Sequence, residues 1–92
     1  MKKELLRSIA RISRMEEIFD ELIEVWKNRP DELSAGAAQG KVAVLSAYYT
    51  SGEWLNDYTL DEQHLLPQDL KRGVLSQDGL YDLLCEIAER TN

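Results

Sequence analysis

A chain of 92 residues with 17 acidic and 11 basic side chains carries a formal net charge of −6, and that length allows one small domain, residues 1–92. Its 43% hydrophobic and 30% charged residues exclude disordered, collagen-like and low-complexity classes. The single cysteine, Cys85, rules out an internal disulfide and a cysteine-built zinc site, and it fits a reducing cytoplasm, where the protein is expected.

From Lys2 to Arg29, Leu5, Ile12, Phe19 and Trp26 recur at seven-residue spacing, joined by Ile9, Met15, Leu22 and Ile23. That periodicity predicts one long amphipathic helix. Ile18 and Val25 widen the apolar stripe, so the helix should touch more than one neighbour. Charges at Glu4, Arg7 and Arg11 break any apolar core of a signal peptide, and none is expected. The five cations and one anion of residues 1–14 give +5 − 1 = +4. Lys3, Arg7, Arg11 and Arg14 align along one side. Against the acidic remainder, they read as a solvated face or a stripe paired with the second half, and no nucleic-acid binding is expected. The breadth of the apolar stripe favours a homodimer over a monomer.

Arg29-Pro30 should end this helix, because proline disfavours helical geometry in the residue before it. Asp31 is the expected cap of a second helix from Glu32 to Tyr49, folding back to complete a hairpin over residues 1–49. Leu33, Ala37, Val44, Leu45 and Tyr48 would face inward. Gly36 and Gly40 share a face, which reads either as a close helix crossing or as a weak first turn. Val42 to Tyr49 is the longest mostly apolar run, far short of the roughly 20 residues that span a membrane.

Residues 50–92 are punctuated. Thr50 with Glu53, and Thr59 with Glu62, have capping-box spacing. Pro67 opens a turn through Leu70, and Gly73 is placed to end it in a left-handed conformation. Ser76 is the expected cap of a last helix, Gln77 to Arg90, with Leu80, Leu83, Leu84 and Ile87 inward. Strand-like alternation is absent. The fold class is therefore all-α: a long antiparallel two-helix hairpin, short turns and a C-terminal helix.

Two segments carry a family resemblance: Tyr48-Tyr49-Thr50-Ser51-Gly52-Glu53-Trp54-Leu55-Asn56-Asp57-Tyr58, and the run from Leu66 to Leu84 that contains Leu70-Lys71-Arg72-Gly73-Val74-Leu75-Ser76. The sequence resembles the small bacterial proteins grouped as domain of unknown function 4298. The resemblance covers roughly residues 48–84. It implies a bacterial cytoplasmic origin and a motif region in the second half, and brings no established activity.

Asp57, Asp61, Glu62 and His64 offer hard-cation ligands within eight residues, although their spacing matches no standard site and Asp57 is expected rather to cap or to bridge to Lys71 or Arg72. The segment from Leu70 to Leu84 has the outline of a helix-turn-helix. Its last helix is too acidic to approach phosphates. Lys71-Arg72 before a helix start could hold an anion, but closing the turn is the simpler role. Cys85 lies near Asp82, Glu86 and Glu89, which disfavour a thiolate. One histidine in the whole chain leaves no nucleophile and base pair. No catalytic residue, metal ligand or cofactor is assigned, and no enzyme is expected.

The aromatic residues Tyr48, Tyr49, Trp54, Tyr58 and Tyr81 are shared between core and surface in this reading, since five partly polar rings are hard to bury in so small a domain. The expectation is a non-enzymatic protein-interaction module with an unnamed protein partner. Its motif or interaction residues are Tyr49, Trp54, Asp57, Tyr58, Asp61, Lys71, Arg72, Gly73, Ser76 and Tyr81. The rival is a metal or small-ligand binder using Asp57 to His64.

Overall fold

The stripe on the first segment does become a single long helix, α1 (Lys2–Asn28), whose 27 residues account for the 42 Å long axis of the molecule. A computed structural model describes residues 2–91. It continues with a 3-10 turn (Pro30–Ser34), α2 (Gly36–Thr50), α3 (Glu53–Glu62), a second 3-10 turn (Gly73–Leu75) and α4 (Gln77–Thr91). No strand occurs among the described residues. Ile12, Met15, Phe19 and Leu22 bury themselves along α1, while Leu5, Ile9, Ile18, Ile23, Val25 and Trp26 pack partly at its margins. The wide stripe is used as expected: α1 lies against α2, both 3-10 turns and α4.

Helices α1 and α2 run antiparallel. Lys41 near the middle of α2 reaches Glu21 of α1 at 3.4 Å, whereas Tyr48 at its end meets the environment of Arg11, ten residues back along α1. Helix α2 starts later than the sequence suggested. Pro30 sits in the first turn of the 3-10 segment, Ala35 is extended, and Asp31 caps nothing. The extended residue resets the chain direction, and Gln39 fastens the junction by donating to the Leu33 carbonyl at 2.7 Å. Leu33 is thereby driven into the core. Gly36 and Gly40 have nothing within 4 Å of where a Cβ would stand. They mediate no close crossing.

Helix α3 follows α2 after a two-residue corner made possible by Gly52, at φ 93° in the left-handed region. Neither capping box forms. Thr50 bonds back to the Ser46 carbonyl at 2.8 Å, and the Glu53 N–H is taken by Ser51 Oγ at 3.3 Å. Thr59 and Glu62 both lie inside α3, where Thr59 bonds back to Leu55. Gly73 does not adopt a left-handed conformation; it opens the second 3-10 turn, and its lack of a side chain matters for another reason given below. Ser76 does cap α4, its Oγ accepting the Gly79 N–H at 3.3 Å. Leu80, Leu83 and Ile87 close the core from that side and Leu84 is half-buried.

Candidate functional site

The motif segment converges on a polar centre that joins α1, α2 and α3. Asp57 has no solvent-exposed surface. Its carboxylate accepts two bonds from the Arg11 guanidinium, Nε to Oδ2 at 2.9 Å and Nη2 to Oδ1 at 2.5 Å, and a third from the Tyr48 hydroxyl at 2.7 Å. Arg11 also donates to Glu53 at 3.3 Å and to Ser8 at 3.2 Å. Burial, followed by the bond to Asp57, pushes the Tyr48 phenol well above its ordinary pKa. The bond to Asp57 likewise raises Arg11. A fork-shaped, permanently charged donor is well matched to a buried carboxylate. Asp57 therefore bridges to Arg11 and Tyr48, not to Lys71 or Arg72.

A second cluster holds the connection between α3 and α4. Arg72 pairs with Asp61 and donates to the carbonyls of Pro67 and Leu70, so it closes the turn as the sequence suggested. Lys71 is exposed and forms no ion pair among the described residues. Val74 is gripped at both backbone groups: its N–H goes to Glu16 Oε1 at 2.7 Å, and its carbonyl accepts the Trp54 indole N–H at 3.0 Å. A Cβ on Gly73 would stand 3.1 Å from the other Glu16 carboxylate oxygen. Glycine is needed there for that approach, not for its backbone angle. The sequence marked Arg11 only as part of a basic stripe paired with the second half, which it is, and Tyr48 only as one of five aromatic residues; Glu16 it did not mark at all, and the partners of the three lie between 9 and 58 positions away.

The four metal-ligand candidates do not come together. Asp57 and Asp61 are each occupied by a different arginine, while Glu62 and His64 are exposed. Among the described residues no group of three or more His, Cys, Asp or Glu is arranged to hold a metal ion.

The aromatic residues divide. Tyr48 and Trp54 belong to the core. Trp54 stacks on Tyr58 with centroids 5.0 Å apart, Tyr49 tilts against Trp54 at 5.1 Å, and Tyr81 lies 6.4 Å from Tyr49. Tyr49 and Tyr58 are half-buried, and Tyr81 is 53% exposed. The Cys85 thiol, one turn along α4, raises the Tyr81 phenol above its ordinary value. Leu55, beside Trp54 on α3, is 59% exposed. The result is a strip of rings from three helices with a buried indole as its base. It offers rigid, amphipathic contact area and no reactive pair.

The sequence model of one family, described as a domain of unknown function (DUF4298), matches residues 12–91. No curated protein and no solved structure matches the chain.

Proposed function

The chain belongs to the DUF4298 family, and we propose that it works as a non-enzymatic protein-interaction module of the bacterial cytoplasm. The observation that carries this reading is the aromatic strip, where Tyr81 stands more than half exposed beside rings anchored on buried Trp54, on a surface to which α3 also exposes Leu55. Tyrosine on a fixed support provides binding area at little entropic cost, which is how interface anchors work. The polar motif residues support it from behind. Asp57, Asp61, Arg72 and Glu16 have their charges engaged within the fold, which leaves them for holding the strip rigid rather than for chemistry.

The test is capture from a lysate of the source organism on immobilised protein, comparing wild type with the double variant Leu55→Ser, Tyr81→Ser. Both side chains are exposed, so circular dichroism should show an unchanged fold. A partner retained by wild type and lost by the variant supports the strip. An identical set of retained proteins removes it.

A further inference from the structure

A second surface lies along α1. Between α1 and the turn at Pro67–Lys71 there is a cleft of about 480 Å³ whose apolar walls are Ile9, Pro67 and Leu70. One turn further along, between α1 and α4, Phe19, Ile23, Trp26 and Leu83 line another of about 260 Å³. Glu16 and Asp20 border the first and Phe19 and Ile23 the second, so successive turns of one helix form the wall of both. From Ile9 to Trp26 the rise is about 26 Å. The rim is mainly acidic: Glu17, Asp20, Asp69, Asp82 and Glu86 stand against Lys27 and Lys71, with Arg90 5.7 Å over the Trp26 ring, while the carboxylate of buried Glu16 is engaged by Val74. Glu17, Asp20, Asp69, Asp82 and Glu86 form no ion pair among the described residues. Trp26 keeps its indole N–H buried without a hydrogen-bond partner.

We propose that these two clefts act together as one groove along α1 and receive a basic amphipathic helix from a partner protein. An apolar floor with an unpaired acidic rim is complementary to a helix with aliphatic anchors on one face and lysine or arginine beside them. The length suits four to five turns of helix, roughly 17 residues. An extended peptide has no sheet edge to join, since the described residues contain no strand. The proposal shares the interaction reading above but stands on different residues, so the two can fail separately.

The probe is a fluorescein-labelled synthetic helix with leucines on one face and lysines on the other, followed by anisotropy at 0.15 M salt. A groove variant, Asp20→Lys, Asp82→Lys, Glu86→Lys, is compared with a control of equal charge change outside the groove, Glu4→Lys, Asp31→Lys, Glu62→Lys. The expected result is binding to wild type, retention within about threefold by the control, and at least about a tenfold loss in the groove variant. The Leu55→Ser, Tyr81→Ser protein should bind the probe as wild type does, whatever becomes of the aromatic strip. Absence of binding overturns the proposal, and so does equal weakening in groove variant and control, which would show that net charge alone attracts the probe. Sedimentation equilibrium that finds a wild-type dimer split by the groove variant also overturns it, because a second copy would then be the occupant.

Discussion

Replacing Arg11 by methionine keeps most of the side-chain length and removes the charge that faces Asp57. In the wild type, the carboxylate is fully buried and the Arg11 side chain is 23% exposed. Removing one member of a fully buried pair costs about 3–5 kcal/mol; the partial exposure of Arg11 lets water reach the vacated side, which places the expected loss near the lower end, about 3 kcal/mol. A domain of this size is stable by roughly 5–14 kcal/mol, so the variant should still fold, with a midpoint lowered by about 15 °C. Urea denaturation followed by circular dichroism at pH 7.5 measures it. A loss under about 1 kcal/mol would refute the view that Arg11 neutralises a desolvated charge.

Tyr48 predicts an alkaline dependence. Its folded pKa lies above the ordinary 10.0, so above pH 10 the unfolded chain releases a proton that the fold retains, and stability falls with a slope approaching about 1.4 kcal/mol per pH unit; the urea midpoint should therefore drop less between pH 9.5 and 11 in Tyr48→Phe than in wild type. Ser76→Ala removes the acceptor of the Gly79 N–H and should cost about 1 kcal/mol in the same assay. Gly73→Ala forces a methyl to 3.1 Å from the Glu16 carboxylate and loosens its bond to Val74, an expected loss of about 1–2 kcal/mol; retention of wild-type stability would show that Glu16 moves freely. Gly40→Ala meets open space inside a helix and should stabilise by about 0.5–1 kcal/mol, seen as a higher thermal midpoint.

The helices were legible because periodicity is a local signal. Ile12, Met15, Phe19 and Leu22 recur at the spacing that a helix turns into one face, and Ser76 precedes α4 as a cap should. The boundaries between them were less so. Asp31 and Thr50 have the chemistry of caps, but the extended Ala35 and left-handed Gly52 set the actual helix starts. Capping chemistry identifies residues able to cap; the conformation of the neighbouring residue decides whether the amides point at them.

The motif residues carry a different lesson. Trp54, Asp57, Asp61, Arg72 and Gly73 were recognisable as a set, yet several of their contacts reach distant chain segments: Asp57 to Arg11, Trp54 to Val74, with Glu16 beside Gly73. A small domain has a limited apolar core, and specific polar links at the junctions of its helices can fix an arrangement that hydrophobic burial alone leaves loosely specified. Such links require particular residue types at particular places, so they stand out in a sequence as strongly as catalytic residues do. The groove along α1 left no comparable mark. Its acids are ordinary surface residues one at a time, and they acquire a common direction only when α4 and the Pro67–Lys71 turn are laid against α1. Variants in the buried polar set should therefore be read first by denaturation, whereas variants at Leu55, Tyr81, Asp20, Asp82 and Glu86 should leave stability nearly unchanged and alter only what the protein binds.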